Sequence, residues 1–283
     1  MRSPLLKIVS DMRSLEPFPH VATSVLAMSS REDVVPDELI EVIQTDPALT
    51  GKVLRLCNSA YYGFQREIAS LQEAGNMLGA RTLTNLVLTS SAGKYFRDYG
   101  SAKGRSQEGL WERCVTHAVA ARMLARQHVS TDPERAYTAG LLQNMGNMVL
   151  DRYCFEERSA VDHEIANGRT QVEAERVVLG VHHAEIGARL STRWALPDVL
   201  VDTIRHHHSP DEATIDPVLT ATIHLAEVLG DCVLIGMDPE SLMLEACDAA
   251  YELTGLAPDK MQRMGVGLSE ELEKARDLLC QGA

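Results

Sequence analysis

The side chains able to do acid–base or metal chemistry fall at a few places in this chain. Histidines stand at His117, at His183 and in the run His206–His208, and Glu227 lies on an apolar stretch beyond them. Imidazoles and carboxylates are common ligands of divalent transition ions and common proton carriers. The histidine run suggests a metal-binding tract by itself. On a helix, however, successive residues point about 100° apart, so at most one or two of the three can face one pocket. The other telling stretch is Thr138–Val149, in which Ala139, Leu141, Leu142, Met145, Met148, Val149 and the following Leu150 recur at helical spacing. Between them sit two uncharged amides, Gln143 and Asn144. An amide carries no negative charge and its nitrogen has no free lone pair, which makes it a poor partner for a divalent transition ion.

Two other groups could bind rather than react. Asn58, Tyr61 and Tyr62 read as a helix cap followed by aromatic packing between lobes, or as a partner- or ligand-binding edge in which tyrosines supply contact area. Lys94, Arg97, Lys103 and Arg105 could hold an anionic ligand such as a nucleotide, although a solvated face is the commoner meaning of such a run. Other chemistries lack their signatures. The chain has no G-x-S-x-G elbow, no P-loop and no G-x-G-x-x-G after a strand.

The elements that must position these residues read as helices throughout. No segment sustains period-two alternation with β-branched enrichment. Leu5–Leu15 has helical spacing and predicts a lead helix that Pro17 and Pro19 stop. Pro36 suits a first helical position, and Asp46-Pro47 and Asp132-Pro133 each read as a capping carboxylate followed by a proline in the first turn. The second of these opens the helix that carries Gln143 and Asn144. Residues 101–109 lie in a glycine- and serine-rich stretch and read as a linker. The expectation is an all-α protein of two lobes, residues 1–100 and 110–283, the second ending in a helical tail. That tail could complete the lobe or support a homodimer.

Composition narrows the functions. The chain has 283 residues and a net charge of −13, which opposes binding to nucleic acid or an anionic membrane over the whole surface. Six scattered cysteines without a C-x-x-C pair fit a reducing cytoplasm. Aromatics are only 5% of the residues, so aliphatic side chains must build the core.

Two sets of motifs carry a family resemblance. FPHVATSVLAMSS, IQTDPALTGKVLRLCNSAYYG and SLQEAGNMLGARTLTNLVL resemble the first part of the HD-related output domain, HDOD. AYTAGLLQNMGNMVL, VHHAEIGARLSTRWALP and IRHHHSP resemble its second part, and together they span Phe18–Gly236. The resemblance implies a bacterial signalling or regulatory output domain, related to the HD phosphohydrolases and usually without demonstrated catalysis. By motif, His117, His183, His207 and His208 match histidines of the HD site, Gln143 and Asn144 replace its His-Asp pair, and Glu227 replaces its terminal Asp. The functional expectation is therefore a non-enzymatic module that binds a signalling protein or a small ligand, with no cofactor. One alternative is a divergent metal-dependent phosphohydrolase, with a single divalent ion on His117, His183, His207 and Glu227. Another is a cyclic-dinucleotide or nucleotide receptor that uses Arg97 or Arg105.

Overall fold

The computed structural model describes residues 15, 17–31, 33–99, 107–126, 131–235 and 246–279. All regular structure among them is helical. Helices α1 (His20–Ser29), α2 (Pro36–Ile43), α3 (Pro47–Cys57) and α4 (Leu71–Tyr99) form the first lobe. Helices α5 (Gln107–Ala125), α6 (Pro133–Leu142), α7 (Met145–Tyr153), α8 (Arg158–Ala166), α9 (Gln171–Leu179), α10 (His183–Arg193), α11 (Asp198–His206) and α12 (Pro217–Ile235) form the second. Helices α13 (Asp248–Thr254), α14 (Pro258–Lys274) and α15 (Arg276–Leu279) follow.

Local chemistry accounts for many of the boundaries. Asp46 accepts a hydrogen bond from the Leu49 amide and Asp132 from the Glu134 amide, each with proline in the first turn, as the sequence predicts. Thr170 and Glu173 make a reciprocal capping box at the start of α9. Gly79, at φ 80°, breaks the long α4 into two helical pieces, a conformation that glycine adopts without steric penalty.

Two expectations change. The helix predicted through Thr138–Val149 is two helices that part at Gln143–Asn144. Asn144 sits at φ −91°, ψ 14°, and both amide side chains turn toward His117. The predicted linker is also shorter than 101–109, because α5 already begins at Gln107. Among the described residues the lobes share one hydrophobic core that runs from Leu15 to Leu278. Most of the predicted lead helix, the remainder of the linker, Arg105 and the side chain of Arg97 lie outside the described residues.

Helix α12 is long and apolar enough to cross a membrane, but 72% of that window is buried inside the protein. It is the central strut of the second lobe, packed against α5, α6 and α11. Its side chains His224, Glu227 and Asp231 bring polar and charged groups to the site.

Candidate functional site

Helices α5, α6, α7, α9, α10, α11 and α12 converge on one buried polar cluster. Two glycines allow the close approach. A Cβ on Gly146 would lie 1.9 Å from the His183 carbonyl oxygen, and one on Gly230 would lie 2.5 Å from His117 Cδ2. Helix α7 therefore lies directly against the start of α10, and α12 against the His117 ring.

The cluster has two halves. In the first, His117 is fully buried. Its Nε2 lies 3.0 Å from Asp231 Oδ1, and its Nδ1 lies 2.9 Å from Gln143 Nε2 and 3.1 Å from Asn144 Nδ2. A carboxylate facing Nε2 fixes the ring proton there, so Nδ1 accepts from the two amides. Asp231 also accepts two bonds from Arg113, at 3.0 and 2.6 Å, a bidentate ion pair. Burial raises the proton affinity of Asp231, but His117 and Arg113 outweigh it and hold the carboxyl down at about 2.

In the second half, Glu175 Oε2 accepts both the His183 amide at 2.7 Å and His183 Nδ1 at 2.8 Å. His183 Nε2 then faces His208 Nε2 at 2.8 Å. His207 donates Nδ1 to the Ile204 carbonyl at 2.8 Å, and its Nε2 is buried without a hydrogen-bond partner. One ligand atom each from His183, His207 and His208 can lie within 4.8 Å of the others. Glu227 Oε2 completes the ring, 3.6 Å from His207 Nε2 and 3.7 Å from His208 Nδ1. Burial pushes the His207 imidazole down to about 4, against the pull of Glu227. Burial and the surrounding imidazoles also push His208 well below its ordinary value. The α11 helix ends at His206, which lets His207 and His208 both turn inward while His206 faces Asp202 and Glu212.

Asn144 joins the halves. Its Nδ2 reaches Glu227 Oε1 at 3.3 Å, and its Oδ1 accepts from Asn147 at 2.8 Å. Gln171 links Asn147, at 3.0 Å, to Glu175, at 2.7 Å, which closes a polar chain from His117 to His183. The structure thus gathers His117, Gln143, Asn144, His183, His207, His208 and Glu227 into one cluster. Asp231, Arg113 and Glu175 belong to it as well, and the sequence reading missed them. Asp231 follows Glu227 by four residues and Arg113 precedes His117 by four, so the one-face helical spacing was the available signal.

The HD type of centre needs donors that bridge two ions. The residues here do not fit it, because Gln143 and Asn144 turn N–H groups toward His117 and Glu227. Three imidazoles and a carboxylate on the other side do have the donor chemistry for one ion.

Asn58, Tyr61 and Tyr62 lie elsewhere. Asn58 caps α3 and clamps the following loop, donating to Leu54 and Ile68 carbonyls at 2.9 Å each and accepting the Ile68 amide at 2.7 Å. Tyr61 meets Arg122 of the second lobe at 3.1 Å and packs edge-on against Tyr62. A cavity of about 180 Å³ opens between the lobes, lined among others by Arg81, Asn85, Asp132, Glu134 and Arg135.

The family model of the HDOD domain matches residues 15–210, well over half of the chain. The chain belongs to the HDOD family. A protein of Treponema pallidum (strain Nichols), named only "Uncharacterized protein", is 30% identical over 190 residues, which are 62% of this chain and 34% of that relative. The chain thus spans about a third of that relative's length. Among solved structures, an HDOD domain protein of unknown function from Geobacter sulfurreducens superposes with a TM-score of 0.72 at 23% identity, covering 98% of this chain and 96% of that one. A protein from Shewanella amazonensis SB2B named "Putative phosphohydrolase" gives 0.76 at 22% identity, covering 98% of each chain. A Marinobacter aquaeolei VT8 protein named "Putative signal transduction protein" gives 0.75 at 22% identity, covering 97% of this chain and 61% of that one. These likenesses establish the all-α HDOD fold.

Proposed function

We propose that this HDOD chain is a non-catalytic signal-transduction output module that acts by binding a protein partner or a small ligand. The observation that carries the reading is the pair of amides on His117. Gln143 and Asn144 occupy its Nδ1 as hydrogen-bond donors, and Asp231 takes the opposite nitrogen. A phosphohydrolase of the HD type would need that imidazole and the neighbouring pair as ligands that place a metal-bound hydroxide. Here they hydrogen-bond to one another and to Asp231 instead, which leaves His117 no nitrogen for a metal ion. The cavity between the lobes, lined by Arg81, Arg135, Asp132 and Glu134 among others, is the place for a small ligand.

The test is turnover of bis-p-nitrophenyl phosphate and of cyclic dinucleotides by the purified chain with added manganese, magnesium or zinc. The expected result is no rate above that of His183→Ala. Robust metal-dependent hydrolysis that disappears in His183→Ala would overturn the proposal.

A further inference from the structure

We propose that the second half of the cluster is a site for one transition-metal ion of the zinc class, held by His183, His207, His208 and Glu227 and excluding His117. The inference goes beyond the binding function above and does not depend on it, since an ion can be held here without turnover.

Four observations converge. First, the ligand atoms of His183, His207 and His208 can all lie within 4.8 Å of one another, and Glu227 Oε2 is 3.6 and 3.7 Å from the His207 and His208 rings. An ion with bonds of about 2.0–2.1 Å in tetrahedral coordination sets neighbouring donors roughly 3.3 Å apart, so small side-chain shifts reach that geometry. Second, two ring orientations are already set from behind. His183 Nδ1 donates to Glu175 Oε2 and His207 Nδ1 to the Ile204 carbonyl, so each presents Nε2 inward. A carboxylate or carbonyl behind a ligating imidazole is the usual second shell of such ions.

Third, His207 Nε2 is buried with no hydrogen-bond partner, an acceptor that lacks a donor. Fourth, His183 Nε2 and His208 Nε2 face each other at 2.8 Å. Because His183 gives its Nδ1 proton to Glu175, its Nε2 offers a lone pair toward His208, which either an N–H of His208 or a metal ion between the rings satisfies. His208 keeps 26% of its side-chain surface exposed and so gives the ion an entry path.

Exclusion of His117 follows from its hydrogen bonds. One ring nitrogen faces Asp231 and the other is filled by two amide N–H groups, so no lone pair is left for an ion. Imidazole-rich donor sets suit zinc, copper, iron and nickel, whereas magnesium and calcium take oxygen ligands.

The experiment is titration of the full chain, stripped of metal, with zinc against a chromophoric chelator, and with cobalt followed by its visible absorption. The expected result is about one equivalent of zinc, and cobalt bands of tetrahedral intensity. His208→Ala should remove this binding. Glu175→Gln should weaken it about 10–100-fold through the second shell. His117→Gln should leave the stoichiometry and the spectrum unchanged, with folding checked by circular dichroism. His208→Ala is chosen because that side chain is the least buried of the three imidazoles, and cobalt spectra of Glu227→Gln give an independent check. No zinc binding by the unaltered chain would overturn the proposal, as would two equivalents or equal loss in His117→Gln and His208→Ala. None of these results bears on turnover, so a failure here leaves the function proposed above standing.

Discussion

Glu175 holds His183 twice through one oxygen, accepting the backbone N–H at 2.7 Å and the ring Nδ1 at 2.8 Å. The carboxylate thus fixes both the start of α10 and the orientation of the ring that α10 carries. Burial disfavours charge on both partners, yet each carries the other past that penalty: Glu175 is held below its ordinary value and His183 above. Glu175→Ala should therefore leave a buried imidazole and an amide without a partner and cost about 3 kcal/mol. Glu175→Gln retains an acceptor oxygen and should cost less. Urea unfolding of the two variants measures the difference, and equal small losses would show that the pair is not a structural tie.

Gly146 makes a sharper prediction. Its Cβ position lies 1.9 Å from the His183 carbonyl oxygen and 2.8 Å from the Gly187 amide nitrogen, both backbone atoms that cannot swing away. Gly146→Ala must push α7 off α10, and overpacking of this kind costs about 3 kcal/mol or more. A drop of several degrees in Tm is expected. A thermal shift near zero would mean that the two helices slide freely past each other.

How much of this was legible in the sequence depended on the range of the interaction. Asp46-Pro47 and Asp132-Pro133 announced their helices because a cap is satisfied within three residues. The same logic failed at the other end of the second helix. Helical apolar spacing continues through Gln143–Asn144, but the chain breaks there because both amides find a partner on α5, 26 and 27 residues away. The histidine run illustrates the opposite case. Ideal helical geometry allowed one or two of His206–His208 into a pocket, and the end of α11 decided that there are two. Glu175, Arg113 and Asp231 stayed hidden because an acidic or basic residue on a helix reads as solvent-facing until the partner across the fold is known. The tie between Tyr61 and the second lobe was foreseen only as aromatic packing, since its partner Arg122 is a cation buried to 2% exposure.

The Asp231 carboxyl predicts how stability depends on acid. Its folded value of about 2 lies below the ordinary 3.8. A depressed carboxyl contributes stability that is fully present above the unfolded value and is lost as pH falls through the folded one. The contribution of Asp231 should therefore be intact above about pH 5 and fade between about pH 4 and pH 2. Asp231→Asn should be less stable than the unaltered chain at pH 6, and the gap should narrow on acidification through that window. Parallel urea titrations at pH 6 and pH 3 check the sign, and a gap that widened in acid would contradict it.

Arg122 and Tyr61 join the lobes, and their energy can be measured separately from the shared core. The guanidinium donates to the Tyr61 hydroxyl at 3.1 Å and to Glu134 Oε2 at 2.5 Å, and lies 4.2 Å from the Tyr137 ring centroid. Tyr61→Phe removes one hydrogen bond to a charged donor and should cost about 1.5 kcal/mol. Arg122→Met leaves the Glu134 carboxylate without its cation and should cost about 3 kcal/mol or more. Because the two residues touch, the double variant should lose less than the sum, with a coupling of about 1 kcal/mol. Strict additivity would show that Tyr61 and Arg122 do not act as a coupled link between the lobes. A measured coupling would make the Tyr61 turn an energetic link through which occupancy of the cavity between the lobes could be felt in both.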